Sequence, residues 1–202
     1  MFLTFLISQI FLHDWEKTHN IYCVVETQYT EKTVVEDIAK FLRESRIAKA
    51  LTNKSVVYES HVRRFWNSAR YEEEYKTIYY AVTKRYENGR NVDLEIKINV
   101  GVVRRVLDLG DSDNDPTIIP ERLAKGLWKD AYDETSDYIM NIITCLILNR
   151  PYNVSQVIFD YMVENAKARN TKYIMYPRFV QMLIDDQFKD LEKSNDDILS
   201  LR

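Results

Sequence analysis

The sequence predicts a helix-dominated α+β fold: a single compact helical domain with one β-hairpin packed on one side. Three observations carry this reading. Only 4 Gly and 4 Pro occur in 202 residues, too few turn formers for a sandwich or barrel with a turn every few residues. Apolar residues recur at helical spacing through most of the chain. Between Thr77 and Ile98 the spacing changes to two, on either side of Asn88 and Gly89.

Taken in order, the segment Met1–Leu12 is almost wholly apolar, yet far shorter than the roughly 20 residues that cross a bilayer. No positive charge precedes this run, and His13-to-Lys17 (HDWEK) follows where a signal peptide would carry small residues. Residues 1–20 are therefore expected to be a core or partner-facing segment, with no membrane span, and the protein to be intracellular, in cytoplasm or nucleus. The domain proper is expected over 21–188.

Thr33–Ser45 places Val34, Ile38, Phe41 and Leu42 on one stripe, with Thr33 and Glu36 spaced as a capping box. A second helix is expected from about Ser55 to Ala69, with Tyr58, Val62, Phe65, Trp66 and Ala69 on its buried face. The hairpin, at about 76–98, alternates Ile78, Tyr80 and Val82 with Val92, Leu94, Ile96 and Ile98. Asn99 can cap a helix through about Leu109, with Gly110 ending it in the left-handed conformation. A loop from Asp111 leads to Pro120, which suits the first turn of a short helix ending near Gly126. Ser136–Leu148 is apolar over more than one stripe and reads as a central buried helix. After Pro151, Asn153 or Ser155 caps a helix to about Arg169, and Pro177 opens a last helix through Phe188. The charged tail, 189–202, is expected to fray.

Charge and cysteine usage narrow the function classes. The net charge of −3 comes from 28 basic and 31 acidic residues that are interspersed, so no basic field for a phosphate backbone arises. Cys23 and Cys145 are distant in sequence and lie in apolar surroundings, which fits buried thiols in a reducing compartment. Asp111, Asp113 and Asp115 begin like a calcium loop, but Pro116 stands where that loop needs Gly and Arg122 where it needs Glu. His13, His19 and His61 have no metal-ligand spacing, and His61 has no Ser or Cys in a nucleophile motif to serve. The four glycines are isolated from one another, so no phosphate loop forms. No catalytic residue, metal ligand or cofactor is therefore expected. Arg63 and Arg64, with Arg104 and Arg105, are basic pairs that with Tyr58 and Trp66 could make a nucleic-acid or partner contact. Tyr29, Tyr71, Tyr75, Tyr79 and Tyr80 fit packing better than a stacking ladder.

Several runs together resemble a plant retrotransposon-associated domain, the "putative plant transposon protein" family. They are ALT at Ala50–Thr52 followed by Val57 and Tyr58, FWNSA at Phe65–Ala69, VRRVL at Val103–Leu107, DSD at Asp111–Asp113 and CLILN at Cys145–Asn149. The most specific are YNVSQVIFDYMVEN from Tyr152 to Asn165 and MYPRFVQ from Met175 to Gln181. Between Leu123–Trp128 and Ser136–Leu148 the family usually has an additional aromatic-rich helical stretch, of which Trp128–Glu134 is a remnant, so the resemblance implies a truncated or decaying copy, or a misplaced exon boundary. It implies an element-encoded structural or interaction domain, with self-association or element-encoded proteins as partners and no catalytic residues to carry over. The alternative is a nucleic-acid-binding or transposition accessory protein that uses the four arginines.

Overall fold

The computed structural model describes residues 40–52, 55–85, 90–120, 122–123, 137–168, 175–189, 191 and 198. The architecture is helix-dominated α+β. Helix α1 (Ala48–Thr52) and α2 (Glu59–Ser68) precede strands β1 (Arg70–Glu72), β2 (Thr77–Arg85) and β3 (Asn91–Ile98). Helices α3 (Val100–Leu107), α4 (Asp137–Ile147), α5 (Val154–Lys167) and α6 (Pro177–Gln187) follow. The apolar segment 1–20, the first part of the helix expected at Thr33, the Asn88–Gly89 turn, Gly126 and the Trp128–Glu134 remnant lie outside the described residues.

The hairpin forms where the alternation of period two places it, with Ile78 opposite Ile98 and Val82 opposite Leu94. The sheet also holds a third, short strand that the expected hairpin lacks. Its order is β1-β2-β3, with Arg70 opposite Tyr79 and Glu72 opposite Thr77. Three residues give too little alternation to read as a strand, and β1 is defined by its pairing and by Tyr71, whose ring meets Phe159 of α5 at 6.4 Å. One face of the sheet turns Ile78, Tyr80, Val82, Ile96 and Ile98 inward, all buried. Helix α2 lies on this face through Phe65, whose ring stands edge-on to Tyr80 at 4.8 Å.

Helix α2 begins four residues later than the apolar stripe suggests. Ser55–Val57 are outside any helix and Tyr58 is extended (φ −101, ψ 121), because its N–H donates to Gln181 Oε1 at 3.1 Å instead of entering a helical ladder. The expected face is otherwise correct: Val62, Phe65, Trp66 and Ala69 are buried. Residues 40–44 are helical, with Leu42 fully buried, consistent with the C-terminal half of the helix expected over Thr33–Ser45.

Asn99 caps α3 by accepting from Val102 N. The helix stops at Leu107, two residues early, since Asp108 takes the left-handed conformation before Gly110 does (φ 49 and 64). That early reversal lets Leu109 enter the core. Asn153, rather than Ser155, caps α5 by accepting from Gln156 N, and Pro177 sits in the first turn of α6. Helix α4 is less central than its composition suggests. Ile142 and Ile143 are buried, but Ile147 is 41% and Leu148 38% exposed at its C-terminal end. In the tail expected to fray, Leu191 packs against the core and Ile198 bridges antiparallel to Tyr58; most of the rest lies outside the described residues.

The core is aromatic-rich around α2 and α6. Trp66 packs edge-on against Phe65 at 4.8 Å and donates from Nε1 to Met175 O at 3.0 Å, tying α2 to the approach to α6. Tyr80 is buried among these groups with its hydroxyl making no hydrogen bond. Burial, reinforced by the nearby Asp185 carboxylate, raises its phenol well above the ordinary value. A buried hydroxyl without a partner loses its hydration for no return. Tyr80→Phe should therefore leave stability unchanged or raise it by about 1 kcal/mol in urea unfolding; a loss of that size would mean that the hydroxyl has a partner in solution.

Candidate functional site

Three of the polar residues singled out in the sequence, Arg104, Asp111 and Asp113, come together at the N-terminus of α5. The loop after α3 brings Asp111 back onto that helix end, its side chain only 2% exposed. Asp111 Oδ2 accepts from Ser155 N at 2.6 Å, and Oδ1 accepts from Ser155 Oγ at 2.8 Å and from Arg104 Nε at 2.7 Å. A carboxylate here satisfies a helix N–H that no intrahelical carbonyl can reach and complements the positive end of the helix dipole. Arg104 also donates to Asn153 Oδ1 at 3.3 Å and pairs with Asp113 at 2.9 Å. Burial opposes its charge, but hydrogen bonds to Asp111 and Asp113 outweigh that and hold the guanidinium above its ordinary value.

The acidic loop is thus a connector between α3 and α5. Asp115 closes the loop on itself by accepting from Ser112 N at 2.9 Å, while Pro116 O accepts from Asn153 N. Among the described residues no group of three or more metal-ligating side chains converges.

The four arginines divide accordingly. Arg104 is 20% exposed and forms part of the buried network. Arg105, on the next position of α3, points to α6 and grips Asp186 with both terminal nitrogens at 2.7 and 2.8 Å. Hydrogen bonding by Arg105, working against burial, holds Asp186 below the usual carboxylate range. Arg63 and Arg64 lie exposed on α2, and Arg63 Nε pairs with Glu59 one turn earlier. The structure does not gather the four into one basic platform: Arg104 and Arg105 turn to different elements, α5 and α6.

His61 belongs to a second cluster. Its Nδ1 is 3.3 Å from Gln181 Nε2, and its ring is 5.1 Å from that of Tyr58. Gln181 is fully buried; its Oε1 is engaged by Tyr58 N, so its amide nitrogen faces both His61 and Asp185 Oδ1 (3.1 Å). Asp111 and Asp113 pair with Arg104, while His61 meets α6, so the two clusters are held by different helices. Sequence reasoning missed Gln181 and Arg178. The latter is a buried guanidinium donating to Leu51 O at 2.7 Å and to Ala50 O, where it closes the C-terminus of α1. A polar residue on an all-round buried helix is the signal that finds both.

Tyr71, Tyr79 and Tyr80 are packing groups, Tyr79 lying beneath Arg70 and Lys97. Cys145 is buried, and that burial, despite Arg150 and Arg46 nearby, pushes its thiol up to about 11. Cys23, His13, His19 and Tyr29 lie outside the described residues, and no helix among the described ones is long and apolar enough to cross a membrane. No family model, no curated protein and no solved structure matches the chain.

Three outcomes follow from this geometry. Asp111→Ala should cost about 3 kcal/mol in urea unfolding, because it takes the acceptor from Ser155 N and Oγ and leaves Arg104 only Asn153 and the exposed Asp113. Asp113→Ala, whose side chain is 83% exposed, should cost less than about 0.5 kcal/mol. Equal effects would remove the helix-capping role. Arg105→Ala should destabilise by at most about 1 kcal/mol near neutrality, since Arg105 is 59% exposed. Because the Asp186 value is depressed in the folded state, this contribution is present above the ordinary carboxylate range and is lost as pH falls through the folded value. The difference between variant and parent should then vanish in acid. In a Cys23→Ser background, Cys145 should react with a neutral thiol reagent only as fast as the protein opens; rapid labelling of the folded protein would contradict its burial.

Proposed function

We propose that the chain is a non-catalytic, retrotransposon-derived structural or protein-interaction domain. One observation supports this reading above the others: the two most specific runs of the resemblance are scaffold. In Tyr152–Asn165, Tyr152, Val157, Ile158, Phe159, Met162 and Asn165 are buried, and Met175–Gln181 is buried throughout. What these runs specify is two buried helices that each pack on α3, with their polar links, so the resemblance concerns a shape that presents surfaces. The acidic loop fits the same reading, since Asp111 serves α5 and Arg104 rather than an approaching substrate.

The nucleic-acid alternative gains little from the geometry, because Arg104 and Arg105 already hold carboxylates within the domain. It retains Arg63 and Arg64 on α2. Full-length protein titrated with single- and double-stranded nucleic acid at low salt should show no binding that weakens with added salt and with Arg64→Ala. Salt-sensitive binding that is lost in this variant would favour the alternative. For the leading reading, the frame should lie beside reverse transcriptase, integrase or long terminal repeats, and the purified chain should bind a protein encoded in the same element. Flanking sequence without any of these, together with no such binding, would refute it.

A further inference from the structure

The two edges of the sheet are built differently. On the β1 side the edge is only three residues long, and beyond it Ser68 Oγ accepts from Ala81 N at 3.3 Å, which occupies the next outward group of β2. On the other side β3 runs for eight residues. In an antiparallel ladder residues alternate between those that bond the neighbouring strand and those that point away from it. Ala81 N turns away from β3, so in β2 the odd-numbered residues point outward; their partners in β3 are Asp93, Glu95 and Lys97. Gln187 Nε2 donates to Lys97 O from outside the ladder at 3.3 Å, as this alternation requires. Among the described residues nothing bonds the outward backbone groups of Asp93 and Glu95. On the inner face beside this edge, Val92 and Leu94 are only partly buried, whereas Ile96 and Ile98 are closed off.

A long open edge is a template for another strand, and proteins usually blunt it with charge. Here the exposed charges change sign along the strand, negative at Asp93, which accepts from Thr83 Oγ1, and at Glu95, one of whose oxygens meets Arg70 at 2.6 Å, and positive at Lys97. We infer that β3 is the contact between two copies of this chain, paired antiparallel about a two-fold axis at Ile96. In that register Glu95 of each copy faces Lys97 of the other, on the exposed face. The outward N–H and C=O groups of these residues meet in the pattern of a bonded pair. Leu94 comes opposite Ile98 on the inner face, and no like charges stand directly opposed. Moving the axis to Glu95 or to Lys97 sets that residue against its own copy, and moving it to Leu94 sets Asp93 against Glu95, so charge selects the alignment. Gln187 gives up or shares the Lys97 carbonyl, which has a second lone pair. The inference rests on the proposed interaction role and names its partner as a second copy.

The test is a charge swap read by sedimentation of the full chain over micromolar to millimolar concentration. Wild type should show concentration-dependent dimers. Glu95→Lys and Lys97→Glu should each raise the dissociation constant by about tenfold or more, since each sets two like-charge pairs face to face. Mixing the two variants should restore association, because the lysine introduced in one copy then meets the glutamate introduced in the other. Circular dichroism of each variant distinguishes lost pairing from lost folding, and Asp93→Asn, which faces no charge in this register, should sediment like wild type. A monomer at every concentration, or a dimer indifferent to both substitutions, overturns the inference. A dimer of the second kind, or binding to an element-encoded protein, would leave the interaction reading standing.

Discussion

Helix α6 is buried almost all round, and the rest of the domain is arranged to make that burial possible. From Pro177 to Ile184 every side chain is buried. Two of them, Arg178 and Gln181, are polar and cannot sit there without partners. Arg178 is met by the terminal carbonyls of α1, and Gln181 by Tyr58 N, His61 and Asp185. The exposed end of the same helix adds Asp186 to Arg105 of α3 and Gln187 to Lys97 of β3. One helix therefore fixes α1, the start of α2, α3 and the sheet through directed bonds, over and above apolar packing. Such bonds have little tolerance for a shifted register, which nonpolar contact alone would allow.

The connector at α5 extends the same logic to that 14-residue helix. Asp111 and Asn153 together supply the N-terminal turn of α5 with acceptors, and Arg104 bridges the two from α3. An acidic loop that looks in sequence like a fragment of a cation site has its first carboxylate turned inward onto a helix end. Its most exposed member, Asp113, still pairs with the same arginine.

Much of the fold was legible because it depends on local periodicity and caps. The alternation in 77–98, the Asn99 cap and Pro177 at a helix start are properties of adjacent residues, and each appears where the spacing puts it. What was not legible depends on partners distant in sequence. Strand β1 exists through pairing, Tyr58 stays extended because Gln181, 123 residues away, takes its N–H, and Ile147 and Leu148 are exposed because of where α4 lies in the domain. Arg104 and Arg105 were visible as a basic pair, but not that adjacent positions on a helix point about 100° apart and would be drawn to different elements. Arg178 and Gln181 were visible only as polar residues in the Met175–Gln181 run, and their buried roles appear only with the helix fully surrounded.

The hydroxyl of Ser68 has a consequence out of proportion to its size. By covering Ala81 N it makes the two sides of the sheet unlike: one is three residues long with the next outward N–H taken, and the other runs for eight with no bond to Asp93 or Glu95 among the described residues. A sheet with two open sides can recruit neighbours without limit and grow into a fibre; one with a single usable side is exhausted by the first strand it accepts. A strand that adds to this domain meets eight residues on one side and a three-residue stub on the other, and a small polar side chain at the end of a helix takes the first N–H beyond that stub.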